Sequence, residues 1–227
     1  MPTPSTSPSL VPTRPVSGAC PRPSGLRWSR RVAVVLAVPV ALALGLTPSA
    51  TAAGGDNTVV AVNASLSAQP VHRFSWDLER TTGAGVAAHN AAVAVSVGRG
   101  ARTTAMAWQI VLASRTGLDV DAENMARTEG SDCLSCDTTA IAYQFVVASD
   151  ADIDFSPRTQ ARLAELRDRA AALGWSAEPS RSVTARADAI AGEVRDVLAA
   201  ASGPRAGSRS ARSAPPGVVV RRMVDHH

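Results

Sequence analysis

The sequence predicts an α+β protein: an antiparallel β-sheet built of repeated hairpins, followed by a C-terminal two-helix hairpin. Three observations carry that expectation. Thr103–Ser114 (TTAMAWQIVLAS) recurs 35 residues later as Thr138–Ser149 (TTAIAYQFVVAS), with eight identical positions and four apolar exchanges. Both copies alternate large and small residues. Met106, Trp108, Ile110 and Leu112, or Ile141, Tyr143, Phe145 and Val147, lie on one side, with Ala, Gln and Val between them. A period of two is the signature of a strand. Beyond Asp150 the apolar period lengthens to that of a helix.

In chain order, the first element is an export signal. Arg27, Arg30 and Arg31 precede the 15-residue apolar run Val32–Leu46; Pro48 ends it, and Ala50-Thr51-Ala52 supplies a small-x-small cleavage pattern. Cleavage is expected after Ala52 or Ala53. The run contains Pro39 and falls short of the ~20 residues of a spanning helix, so no stable membrane span is expected once the signal is removed. Ser29-Arg30-Arg31-Val32-Ala33-Val34 also has the form of a twin-arginine signal, an alternative to the general secretory route. Either route makes the mature chain secreted and extracellular. Cys20 precedes the run and is expected to be lost with it.

The repeat region follows, opened each time by Asn. Asn57–Asn63 is expected to pair with 71–78, Asn90–Val97 with 103–113, and Asn124–Glu129 with 138–148. Gly98-Arg99-Gly100 and Ser131–Asp137 are turn-like connectors, and Glu79–Val86 reads as a loop between units. Ala is a poor strand former, so its recurrence on one face implies that another layer packs close there. Gln109 and Gln144 occupy equivalent positions on that face and are expected to hydrogen-bond across strands.

The C-terminal part opens with Ser156-Pro157, a helix N-cap followed by Pro at the first helical position. Arg158–Leu173 has an apolar side of Leu163, Leu166, Ala170 and Leu173, and Gly174 stops it. A second helix is expected from about Ser182 to Ala201 on the stripe Ala187, Ile190, Val194, Val197 and Leu198. Its place, over the Ala face of the sheet or in a separate lobe, is open. The last stretch is rich in Arg, Ser, Gly, Pro and Ala. The expected organisation is a signal peptide over 1–53, a repeated β-hairpin domain over 54–150, a helical hairpin over 151–201 and a disordered basic tail over 202–227.

Charge narrows the partners. All 23 basic residues are Arg. Residues 54–201 carry 13 Arg against 18 acids, a net of −5, so the basic balance belongs to the two ends. A mildly acidic folded part repels phosphates, and no nucleic-acid partner is expected.

After export two cysteines remain, Cys133 and Cys136, in the last connector. Zinc, a redox dithiol and a disulfide compete for them. A structural zinc site takes four ligands, and the equivalent positions 35 residues back are Gly98 and Ala101. The surroundings of a thioredoxin-type motif are missing. A disulfide suits an exported chain and is the reading carried forward.

Other chemistry was sought in the residues. No Gly-x-Ser-x-Gly elbow, phosphate loop or dinucleotide fingerprint occurs, and no His is followed by Glu. Asp119-x-Asp121-x-Glu123 and Asp150-x-Asp152-x-Asp154 read as solvated acidic turns in preference to calcium loops. Asp225-His226-His227 reads as an unstructured end in preference to a metal site. Trp76, Trp108 and Tyr143 suit core packing better than a ligand groove. No catalytic, cofactor-binding or metal-binding residue is therefore assigned, and no cofactor is expected.

The pattern Asn90-Ala-Ala-Val-Ala, Thr-x-Ala-x-Ala-x-Gln-Ile-Val and Cys133-x-x-Cys136-x-Thr-x-Ala-x-Ala-Tyr143-Gln-Phe-Val-Val resembles a group of uncharacterised exported repeat proteins of high-GC Gram-positive bacteria. Phe155-Ser-Pro157 and the two helices resemble that group's C-terminal part, and the likeness covers about 57–200. In the group Cys-x-x-Cys usually stands in both later units. This chain departs from it at Gly98 and Ala101, which fits two independent local disulfides better than one shared four-thiolate site. Similar segments are appended to membrane proteins labelled peptide zinc metalloproteases. That activity does not carry over, because the His-Glu-x-x-His helix is missing. The function expected is a non-enzymatic secreted structural or protein-interaction module, with an unknown protein or peptide partner. The alternatives are an accessory domain of a membrane peptidase or export system, binding along a sheet edge, and a thiol–disulfide protein using Cys133 and Cys136.

Overall fold

Alternation of side-chain size sets the strands. In the computed structural model, which describes residues 55–64, 69–82, 85–114, 119–149, 152–202 and 217–227, each expected strand forms. They are β1 (Asp56–Asn63), β2 (Val71–Thr82), β3 (Gly85–Arg99), β4 (Arg102–Ser114), β5 (Asp119–Leu134) and β6 (Asp137–Ser149). Two helices follow, α1 (Pro157–Leu173) and α2 (Ser180–Ser202), and then a seventh strand, β7 (Gly217–His226). The α+β class stands. The signal peptide expected over 1–53 and the tail segment 203–216 lie outside the described residues.

The antiparallel hairpin pairing does not stand. β1, β3 and β5 form one sheet and β2, β4, β6 and β7 another. Within each sheet the repeated strands run parallel, and only β7 is antiparallel, on β6. Successive strands therefore alternate between two facing sheets. The chain makes three coils of a short solenoid, each coil stacked on the one before.

The repeat supplies the physical reason. Thr103 lies opposite Thr138, Gln109 opposite Gln144 and Ser114 opposite Ser149, so the repeated stretch stacks on its own copy. Ala105, Ala107, Ala140 and Ala142 meet Val59, Ala61, Ala92 and Ala94 of the facing sheet in one buried cluster. Two small faces can meet only if the strands bearing them lie face to face. A hairpin would set them side by side. At the corner, Gly98 (φ 98°) and Gly100 (φ 66°) adopt the left-handed backbone that glycine accepts, and the chain turns through the thickness of the sandwich.

The bulky face of the second sheet receives the helices. Trp108, Ile110, Leu112, Tyr143 and Phe145 pack with Leu166, Leu173, Val194 and Leu198 in the larger core. Ser156 caps α1 as expected, its Oγ accepting from the Thr159 N–H at 3.1 Å, with Pro157 opening the helix. Gly174 ends α1 and also makes room: a Cβ there would overlap the His72 ring. The described residues form one compact unit.

Three further expectations are corrected. Glu79–Thr82 and Gly85–Val86 belong to β2 and β3, not to a loop. Asp119–Glu123 is strand, not an acidic turn. The tail expected to be disordered contains β7, because Val218, Val220 and Val224 alternate along β6 and every residue from Gly217 to His226 has a partner there. Composition averaged over the whole tail hid that short run.

Candidate functional site

The polar residues that repeat are used inside the solenoid. Asn57, Asn90 and Asn124 stack in register. Asn57 Nδ2 donates to Asn90 Oδ1 at 2.8 Å, and Asn90 Nδ2 to Asn124 Oδ1 at 2.7 Å. The same amides bridge the sheets, donating to the carbonyls of Trp108, Tyr143 and Ala142 at 3.0, 3.0 and 2.9 Å. Gln144 Nε2 donates to Gln109 Oε1 at 2.9 Å and to the Ala88 carbonyl at 3.0 Å. Thr138 Oγ1 donates to Ser96 Oγ at 2.7 Å, and Ser96 meets Thr103 Oγ1 at 2.6 Å. These ladders satisfy most of their buried polar groups, which would otherwise cost stability; Gln144 Oε1 at the last rung is buried without a hydrogen-bond partner. The expected Gln109–Gln144 bond is one of their rungs.

The aromatic residues form a ladder of their own on the helix side. The Trp76 and Trp108 rings lie 5.7 Å apart, and those of Trp108 and Tyr143 4.4 Å. Trp108 and Tyr143 are core, while half-buried Trp76 also borders a groove described below.

At the C-terminal end, charge closes the stack. Tyr143 Oη donates to Asp188 Oδ1 at 2.5 Å, and Arg222 of β7 donates to both Asp188 oxygens at 2.5 and 2.9 Å. Burial raises the Tyr143 phenol well above its usual range, and the bond to Asp188 adds to this. Burial works against the Asp188 carboxylate, but the Arg222 and Tyr143 bonds outweigh it and hold its pKa down. Asp225 Oδ2 accepts from the Thr128 N–H at 2.8 Å and the Thr128 hydroxyl at 3.0 Å. Burial again opposes this carboxylate, and those bonds leave its pKa lowered. His227 exchanges two backbone bonds of 3.0 Å with Thr138, and its ring fills the space that a Cβ on Gly130 would occupy.

At the first coil, β2 is the outer strand of its sheet. Its two faces differ. Phe74, Trp76 and Leu78 pack against the helix-side core. Arg73, Ser75, Asp77 and Glu79 face inward, in the columns where β4 carries Ala105, Ala107, Gln109 and Val111. Among the described residues Arg73 has no carboxylate partner; its Nη1 donates to the His72 carbonyl at 3.1 Å. Glu79 accepts the Gly55 N–H. Between β2 and α1 runs an open groove of about 410 Å³, bordered by Trp76, Leu78, Phe155 and Leu163, with Arg80 and Arg167 at its rim. The Arg80 guanidinium stands 5.7 Å from the Phe155 ring centre, within cation–π reach. At the start of β2, His72 is buried edge-on to Trp175, with ring centres 5.3 Å apart. Burial lowers the His72 pKa. The Thr104 and Ala171 backbones pull the other way without overcoming burial.

The cysteines lie apart from this edge. Cys133 and Cys136 are disulfide-bonded across the β5–β6 connection, with Asp132 (φ 53°) and Ser135 (φ 60°) beside them. Among the described residues no group of three or more His, Cys, Asp or Glu is placed to hold a metal ion. His226 belongs to β7, not to an unstructured end. Among the same residues no helix is long and apolar enough to cross a membrane. Sequence reasoning found the ladders and the aromatic column as repeated positions. It missed the groove, which α1 creates by lying over β2, and the charged lock on β7. The lock's only signal was the run Val218–Val220 before Arg221 and Arg222. No protein-family model, curated protein or solved structure matches the chain.

Proposed function

We propose that this chain is a non-catalytic exported module with a structural and protein-interaction role at or outside the cell surface, and that its contact element is the β2 edge. One observation carries the reading: the solenoid's two ends are treated differently. Among the described residues, β6 of the last coil is paired by the chain's own β7, whereas β2 of the first coil is an outer strand, twelve residues long, beside an apolar groove. An unpaired edge offers backbone hydrogen bonds, and an adjacent apolar groove offers alternate side chains a place to sit. The test is a photo-crosslinking residue at Leu78 or at Val219, in the full chain exported from its host. Crosslinks to protein from position 78, but not from 219, are expected. Equal crosslinking from both positions, or none, would sink the reading. Recovery with a membrane-bound peptidase would make the module an accessory of that system.

A second reading rests on Cys133 and Cys136. Their connection holds two non-glycine residues in left-handed backbone, a conformation that costs energy and is often found at working sites. Thiol–disulfide exchange is the function it supports. A reduction potential below about −300 mV would mark the bond as structural and remove this reading.

A further inference from the structure

The residues of β2 are arranged symmetrically about Trp76. Three positions before it stands Arg73, and three after it Glu79; two before stands Phe74, and two after Leu78. Arg73 and Glu79 share the inward face, and Phe74 and Leu78 share the helix face. Antiparallel strands that pair about one central residue place position 76−n of one strand opposite 76+n of the other, on the same face of the sheet. Applied to two copies of β2, this sets Arg73 opposite Glu79 twice, Phe74 opposite Leu78 twice, and Trp76 opposite itself. Ser75 then meets Asp77, and Val71 meets Thr81. His72, which is buried, meets Arg80; this pair, Ser75–Asp77 and Val71–Thr81 carry neither opposite charge nor shared apolar character.

Charges on an edge strand often serve to repel other strands. On β7, Arg222 is held by Asp188 and Asp225 by Thr128, while Arg221 is exposed. On β2, Arg73 has no carboxylate partner among the described residues, and the two signs mirror each other across Trp76. We propose that two copies of this chain pair through β2, antiparallel and centred on Trp76, forming a closed two-fold dimer with one continuous sheet across the interface. This rests on the reading of β2 as the contact edge and names its occupant. A two-fold interface uses the same patch on both copies and closes on itself, so it ends at two chains.

The test is sedimentation of the purified full chain with its charge-swapped variants. Wild type is expected to be a dimer. Arg73→Glu and Glu79→Arg each place like charges opposite each other twice, and each should weaken association about tenfold or more. The double variant Arg73→Glu/Glu79→Arg restores opposite charges and should restore the dimer. That rescue separates pairing from simple damage, since both Glu79→Arg chains lose the bond to the Gly55 N–H. In a second arm, Trp76→Cys should link two chains by a disulfide on gentle oxidation, and Leu78→Cys, which faces position 74, should not. A monomeric wild type, an open series of larger assemblies, single swaps without effect, or linking at 78 but not 76 would overturn the proposal. If the wild type is monomeric while a crosslinker at 78 still captures another protein, self-pairing falls and the contact edge stands. If it captures nothing, both fall.

Discussion

At the last coil, β7 lies along β6, Arg222 holds Asp188, Asp225 holds the Thr128 amide, and the His227 ring fills the space left by Gly130. At the first coil, β2 carries Arg73, Asp77 and Glu79 in the columns where β4 carries Ala105, Gln109 and Val111, and among the described residues no strand pairs with its outer side. The interior between them is uniform, with each Asn, Gln and Thr resting on its counterpart. A stacked repeat has no built-in end, so its terminal coils must differ from its middle. Here, among the described residues, β7 covers β6 at one end, while at the other β2 carries charges with no strand beyond them. The proposed contact surface at the first coil rests on that difference.

The largest effect should come from making the two ends alike. Truncation after Ser202 removes β7 and bares the β6 edge. The truncated chain is expected to melt well below the full chain and to associate in size-exclusion runs. Unchanged melting and size would mean that β7 covers nothing of consequence. A smaller effect should separate middle from end within the Asn ladder. Asn90→Ala strands partners on both sides and should cost about 4 kcal/mol, against about 2 kcal/mol for Asn57→Ala at the terminal rung. Equal losses by chemical denaturation would refute a ladder anchored at its centre.

Acid should loosen the closed end. Asp225 and Asp188 have folded pKa values below their ordinary ones. Their contribution is therefore complete above the unfolded value of about 3.9 and fades as pH falls through the lowered folded values. Hydrogen-exchange protection along β6, taken relative to the intrinsic rate at each pH, is expected to stay high from pH 5 to 8 and to fall in stronger acid. Asp225→Asn should blunt that change; an unaltered profile would exclude Asp225 as its source. The smallest effect is expected at the corners. Replacing Cys133 and Cys136 with Ser should cost at most roughly 2 kcal/mol, since so short a loop gains little from a crosslink. A thermal shift matching that of Asn90→Ala would show that the third corner depends on its disulfide far more than the second depends on Gly98 and Gly100.

Much of the fold was legible in the residues. The alternation of Trp108 with Ala107 and Gln109 located β4 and its two faces, and Ser156-Pro157 with Gly174 bounded α1. The need for a close layer over the alanines was also legible, but the layer itself was not. Strand periodicity says which side chains share a face and is silent on which strand lies beside which. The same two-residue connector, Gly100-Ala101, joins strands side by side or through the sandwich. The groove beside β2 was hidden for a related reason. Trp76 reads as core by its column, and only the placement of α1 leaves it bordering a groove.

The sequence by itself determined the six repeat strands in their central parts, their faces, the two helices with the cap of the first, and the identical residues available for stacking, because these follow from local periodicity and backbone preference. The tertiary structure decided that the strands stack in parallel coils, that the facing layer is a second sheet, and that the valines near the C-terminus close one end. Those outcomes depend on contacts between residues far apart in the chain. Asn90 and Tyr143, or Thr128 and Asp225, acquire their roles only when the coils bring them within a hydrogen bond of each other.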